Sequence, residues 1–340
     1  MVSASRWIQA AGFCLAVGLL PASAQPFQLP TSNHHVLERG GEPLFFAPTV
    51  GKLWPSGTFG CVRTDGNQIH EGIDILHLQT DRRGEPTDPV MAVADGTVAY
   101  ANTRSGLSNY GNYLVVRHQV EGLTLFSLYA HLKSLAPGVQ AGASVRQGQV
   151  IATMGRTTNT RSGIGKDRAH LHLEFDFQVS PRYAEWHSRH KPDERNDHGN
   201  WNGQNLIGVD PWQLFLEQQQ QGARFSLSRW VRAQTELCRV LVRAPDLAWV
   251  RANPAFVRPN PRAQREGVAG YELALNFMGL PFECTPRAAS ELKGTGAVTQ
   301  VLTVNEAEFQ QHHCRKLLVH RGGRYELTNA GMNLLSLLMY

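Results

Sequence analysis

The sequence predicts a mainly β protein: an antiparallel β-sheet or sandwich domain followed by an additional α-rich C-terminal module. Between residues 47 and 215, short runs of β-branched and aromatic residues recur, separated by glycine turns, with few helical runs between them. From residue 170 to 177 the chain reads His-Leu-His-Leu-Glu-Phe-Asp-Phe, an unbroken polar/apolar alternation. A strand sends alternate side chains to opposite faces, so His170, His172 and Glu174 share one face and Leu171, Leu173 and Phe175 the other. After about residue 219 longer segments with helical character take over.

Residues 1–24 carry Arg6, an apolar stretch over 8–20, and Pro21, Ala22, Ser23 and Ala24 before Gln25. This is the pattern of a secretory signal with an Ala-x-Ala cleavage site, too short and wrongly flanked for a membrane anchor. Cys14 lies in the apolar stretch without a lipobox-like sequence before it, which argues against a lipid anchor. Loss of Arg6 with the signal takes the formal net charge from +5 to +4. No later apolar run is long enough to span a bilayer. The expected product is exported, to the periplasm or the medium, and mildly basic. Its polyanionic neighbours would be cell-wall polymers or an anionic membrane surface, not nucleic acid.

Residues 25–46 read as an irregular polar lead-in in which His34 and His35 form an exposed pair. Asp95-Gly96, between the strand-like runs 90–94 and 97–101, predicts a tight hairpin. Glu121-Gly122 predicts another between 113–118 and 123–131. His118, at a strand end, reads as structural. The segment 181–205 has the composition of a polar surface insertion. Its His187, His190 and His198, with Asp193, Glu194 and Asp197, read as surface groups in preference to a second metal site. Asp210 and Pro211 are a good N-cap and first helical residue.

Beyond residue 219, helices are expected over 226–243, 264–278, 305–319 and 328–339, with a proline-rich break at 253–262 and a strand at 298–304. His312-His313-Cys314 reads as a helix surface ending in a buried or bridged cysteine. Export permits disulfides among Cys61, Cys238, Cys284 and Cys314, and four cysteines allow three connectivities. The grouping of the last three suggests a bridge among them; a link from Cys61 to the tail is a further expectation.

The chemistry lies in three segments. His70-Glu-Gly-Ile-Asp74 is not a helical two-histidine motif, because position 74 is Asp and Gly72-Ile73 favours a turn entering a strand. Zinc takes imidazole nitrogen and carboxylate oxygen, and a catalytic site uses three protein ligands. His70, Asp74 and one of His170 and His172 meet that count and leave one histidine to move protons. His131 ends a third strand-like run, Leu-Tyr-Ala-His.

In this order and spacing, His70-x-x-x-Asp74, Tyr129-Ala-His131-Leu and His170-x-His172 resemble the lysostaphin-type, LytM-like zinc metalloendopeptidases of peptidoglycan, peptidase family M23. Segments 90–98, 110–118 and 142–150 are similar to the family's strand blocks, and the likeness runs from about Trp54 to Glu174. The resemblance implies a LytM-like domain of barrel-sandwich hybrid type over 47–215, with residues 219–340 a module of unknown role. It implies one zinc ion held by His70, Asp74 and His172, with His170 and His131 as catalytic histidines and peptidoglycan as partner. It also implies an activity: hydrolysis of peptide cross-links or stems. Two other activities are the alternatives: a non-catalytic module that activates other wall hydrolases, and a secreted bacteriolytic protease. One segment departs from the family. Residues 157–169 replace its short turn before His-x-His with a longer polar loop that is expected to set substrate preference.

Overall fold

Strand pairing brings the chemistry-bearing segments together. The computed structural model describes residues 25–292 and 296–340. The expected signal segment, its cleavage site and Cys14 lie outside the described residues. Twelve strands occupy the first two thirds of the described chain: β1 (Gly60–Arg63), β2 (Gln68–His70), β3 (Ile73–Leu76), β4 (Pro89–Met91), β5 (Gly96–Asn102), β6 (Tyr113–Val120), β7 (Leu123–Ala130), β8 (Ser134–Leu135), β9 (Ser144–Val145), β10 (Val150–Thr153), β11 (His170–Gln178) and β12 (Leu206–Val209). The largest sheet is antiparallel, in the order β12-β11-β7-β6-β5-β9, and β3 pairs with the edge of β11 that β12 also uses. β4-β10-β8 forms a second sheet and β1-β2 a two-stranded one; no sheet of the described residues closes into a barrel.

The alternation in β11 is realised, but both faces are buried. Leu171, Leu173, Phe175 and Phe177 pack into the main core, and His170, His172, Glu174 and Asp176 on the other face are also buried. The turn between β6 and β7 is the expected one, with Glu121 (φ 51°) and Gly122 (φ 77°) both left-handed. The Asp95-Gly96 hairpin does not form. β4 pairs with β10, while β5 pairs with β6 and β9. The backbone between β4 and β5 is committed elsewhere: Ala92 N–H donates to Gln149 O and Val93 N–H to the Tyr129 hydroxyl. Gly96 is needed not for a left-handed turn but for close approach, since a Cβ there would stand 2.6 Å from Arg117 O.

Three helices flank this region: α1 (Glu42–Phe45), α2 (Tyr183–His190) and α3 (Pro211–Gln221). Asp210 caps α3 as expected, accepting from Trp212 N–H at 2.9 Å and Gln213 N–H at 3.2 Å. The lead-in is anchored, with Phe27, Phe45 and Phe46 in the core. The insertion is more than a surface loop, because α2 buries Tyr183, Trp186 and His187.

The C-terminal region contains α4 (Leu227–Arg232), β13 (Cys238–Val242), α5 (Ala248–Ala252), α6 (Pro261–Glu266), β14 (Gly270–Leu275), β15 (Pro281–Arg287), β16 (Thr299–Val304), α7 (Glu306–Gln311), β17 (Leu318–Arg321), β18 (Arg324–Leu327) and α8 (Asn329–Met339). The expected strand at 298–304 and terminal helix at 328–339 are present. The helices expected over 226–243, 264–278 and 305–319 are each a short helix followed by a strand. Gly267 (φ 88°) ends α6, and the β-branched run of β13 is captured between β14 and β16 in a sheet ordered β15-β14-β13-β16. Packing in a sheet outweighs local helical pattern there. Cys61 bonds to Cys314. The bridge expected among the last three cysteines is absent: Cys238 and Cys284 are free and buried on β13 and β15. With β14 between them, two inter-strand spacings (roughly 9–10 Å) exceed disulfide reach. No helix among the described residues is long and apolar enough to cross a membrane.

Candidate metal centre

Register places the site. β3 and β11 pair with Asp74 directly opposite His172, so both side chains leave the same face of neighbouring strands. His70 ends β2, and Gly72 lets the chain turn tightly against β11. A Cβ at Gly72 would lie 2.1 Å from Leu173 O. β7 pairs with β11 on the other side, with Ala130 opposite His172, and delivers His131 just beyond its end. His131 is left-handed (φ 59°), a costly conformation for a residue with a Cβ. Its N–H donates to Tyr110 O at 2.8 Å, which holds the bend.

His70 Nε2, Asp74 Oδ1 and His172 Nδ1 converge at 2.9–3.1 Å from one another. Among the described residues this is the one group of three or more His, Cys, Asp or Glu able to hold a metal ion. Outer partners orient each ring. His70 Nδ1 lies 2.7 Å from Thr58 O, so Nδ1–H donates outward and Nε2 faces the group. His172 Nε2 lies 2.7 Å from Glu174 Oε1, which also accepts from the Tyr110 hydroxyl at 2.8 Å, so His172 presents Nδ1. Such carboxylate and carbonyl partners are the usual second layer of a metal-ligating histidine. Tetrahedral zinc at about 2.0–2.1 Å requires ligand atoms roughly 3.3 Å apart. The three atoms stand close to that spacing.

The charges suit a cation as well. Burial would raise the Asp74 pKa, but the His170 and His70 imidazoles and hydrogen bonds from His172 and His70 hold it well below the usual carboxylate range. Burial works against charge on His172, yet hydrogen bonds to Asp74 and Glu174 lift it to about 10. Two carboxylates thus converge on one ring. Asp176, next along the same face, is fully buried, and burial, the Glu174 charge and a hydrogen bond to Glu174 push it well above the usual range.

The remaining two histidines face the same cleft, of ~540 Å³. His170 Nδ1 lies 2.6 Å from Arg168 O and His131 Nδ1 2.8 Å from Thr157 O. Each ring therefore donates through Nδ1 to a backbone carbonyl and keeps the Nε2 lone pair. Their ring centres are 4.8 Å apart, and His170 Nε2 is 3.6 Å from Asp74 Oδ1. Burial lowers both pKa values, that of His131 to about 3 with help from His170 and His172, while Asp74 partly restores His170.

A model of peptidase family M23 matches residues 68–182. Lipoprotein NlpD of Yersinia enterocolitica is 33% identical over 98 residues, 29% of this chain and 87% of that protein. This chain belongs to peptidase family M23. An NlpD/LppB lipoprotein homologue of Pseudomonas aeruginosa is 36% identical over 42% of this chain and 41% of its own, so the chain spans less than half of that relative's length. The catalytic domain of lysostaphin from Staphylococcus simulans is 24% identical over 35% of this chain and 74% of that one, with a TM-score of 0.25.

The five predicted residues of this M23 chain, His70, Asp74, His131, His170 and His172, thus line one cleft. Sequence reasoning missed Arg63, which the β1-β2 hairpin swings in to donate to Asp74 Oδ2 at 2.5 Å and to His70 Nε2 at 2.9 Å. It also missed Tyr110, whose role depends on a loop packing across β11. The 157–169 loop does border the cleft, through Thr158, Thr160 and Ser162 to Ile164. It is pinned by Arg156 and Lys166 on Glu85, and the Arg156 bond above all holds Glu85 at about 2. The insertion's histidines have structural roles. His187 packs at a tilt against Tyr183, His190 stacks on Trp186, and His198 bonds the Tyr100 hydroxyl. His118 is structural too, between Asp95 O and Ser127 Oγ.

Proposed function

We propose that this chain is an exported zinc-dependent endopeptidase that hydrolyses peptide cross-links or stem peptides of bacterial peptidoglycan. The observation that carries the reading is the full two-histidine, one-carboxylate donor set beside two histidines with free Nε2 atoms. The ligands are His70, Asp74 and His172, and residues 47–215 are the catalytic domain. Zinc held there would polarise a peptide carbonyl and acidify water. His170 is the general base: its Nε2 is free, and Asp74 stabilises its protonated form. At His131 burial and the neighbouring His170 and His172 outweigh the opposing pull of Asp74, so its ring stays neutral at rest. Its Nε2 orients the reacting water or the leaving amine. The left-handed bend and the Thr157 carbonyl fix its ring, and Arg168 O fixes that of His170, so little reorganisation is needed during proton transfer.

The envelope setting is supported by relatives named as lipoproteins and by a cell division protein, DipM, of Caulobacter vibrioides, 28% identical over 43% of this chain. A second reading, a non-catalytic module that activates other wall hydrolases, is favoured by one observation. Arg63 donates to the His70 Nε2 lone pair that a metal would need. Purified protein incubated with zinc and isolated sacculi distinguishes the two. Release of peptide fragments, abolished by a chelator, is expected. No zinc uptake and no release, with stimulation of an added wall amidase, would instead establish the second reading.

A further inference from the structure

We propose that the cavity between the insertion and the C-terminal module is a subsite for a carboxylate-bearing residue of the bound peptide, anchored by Arg315. The inference rests on the peptidase reading and extends it to substrate class. The cavity, of ~440 Å³, adjoins the metal cleft, and Glu71, Asn109 and Tyr110 line both. A peptide lying over the metal ligands therefore has a polar recess beside it. Two cations line that recess. Arg195 is already paired with Asp197 at 2.7 Å. Arg315 is not: its Nε is buried without a hydrogen bond, and no carboxylate among the described residues lies within ion-pair distance of it. Glu71 is the acidic group that faces it, acting across a longer gap.

A half-buried guanidinium whose Nε is sealed from solvent without a partner is costly, and a carboxylate oxygen pair matches its planar fork. The chain also fixes where Arg315 stands. Cys314 before it is bonded to Cys61, on the same strand as Arg63, and Lys316 after it is left-handed (φ 53°). The arginine is thus stapled to the hairpin that carries the first metal ligand, at a constant reach from the reacting bond. The ligand class that follows is a stem peptide with a free carboxylate on a residue flanking the scissile amide. The amidated form of the same peptide leaves Arg315 unpaired and is discriminated against.

The test uses two synthetic cross-linked stem peptides that differ only in a free or amidated carboxylate beside the scissile bond. Binding is measured by calorimetry to the zinc-loaded full chain carrying His170→Ala, and hydrolysis with the otherwise unaltered chain. The free acid is expected to bind roughly 10- to 100-fold more tightly, the range of a charged hydrogen-bonded pair. Arg315→Gln is expected to abolish that ratio and Arg315→Lys to restore part of it, with zinc content and melting temperature unchanged. Equal binding of the two peptides, binding of neither, or discrimination that survives Arg315→Gln in a folded, zinc-loaded protein would overturn the subsite. Discrimination in binding without hydrolysis of either peptide would leave the subsite standing and overturn the peptidase reading.

Discussion

At the scale of single residues, the site depends on which ring nitrogen each histidine presents, and that is decided by atoms outside the cluster. Glu174 accepts from His172 Nε2, turning Nδ1 toward Asp74. Glu174→Gln is therefore expected to weaken zinc affinity about 10- to 100-fold, read by competition with a chelator, while the fold persists. His118 gives a separate prediction. It is fully buried, and burial first of all lowers its pKa below the ordinary 6.5, against the opposing pull of Asp95. A depressed folded pKa contributes stability that is present above the unfolded value and lost as pH falls through the folded one. Urea midpoints are expected to fall below about pH 6.5, with a shallower fall in His118→Asn; identical slopes would contradict this. The five cleft residues were legible because three short local motifs, His70-x-x-x-Asp74, Tyr129-Ala-His131 and His170-x-His172, carry the family resemblance that implies their roles. Arg63, Tyr110 and Arg315 were not, because each reaches the site only through tertiary packing.

At the scale of elements, β11 does two jobs with its two faces, and substitutions separate them. Leu171 is fully buried on the core face. Leu171→Ala is expected to cost ~2–5 kcal/mol in denaturant unfolding while the folded protein still takes up zinc. A neutral result would undermine the strand-face assignment. Gly72→Ala should behave differently. Its Cβ would collide with Leu173 O, so β3 would be displaced from β11 and zinc uptake lost along with stability. The alternation from 170 to 177 and the Glu121-Gly122 turn were readable because each is a complete local signal. The Asp95-Gly96 hairpin misled because a turn dipeptide does not reveal which strands its neighbours pair with. In the tail, β13 and β14 were read as helix because their alternation is short and lies next to true helical turns, and the sheet that captures them forms between distant segments.

At the scale of the whole molecule, the Cys61–Cys314 bond closes 253 residues and ties the β1-β2 hairpin to the C-terminal module. Other ties run the same way: Phe177 packs against Trp249 and Phe256, and the Trp186 indole N–H donates to Ser336 Oγ. Replacing both bridged cysteines by serine is expected to cost ~2–5 kcal/mol, seen as a lower melting temperature, and to lower zinc affinity because Arg63 and His70 lose their anchor. A variant with unchanged affinity would show that the hairpin is held without the staple. The sequence changes pattern near residue 219, which is why a division is expected there. What joins the two parts was not legible, because it rests on a disulfide partner and on aromatic contacts across more than seventy residues.

The central claim is that His172 belongs to the metal and its neighbour His170 to the proton. It is tested most directly by the turnover of His170→Ala on purified sacculi, measured on protein whose zinc content is assayed in the same sample. The expected result is about one zinc per chain, as in the unaltered protein, with turnover reduced by about 10²-fold or more. Full turnover at full zinc content would contradict it.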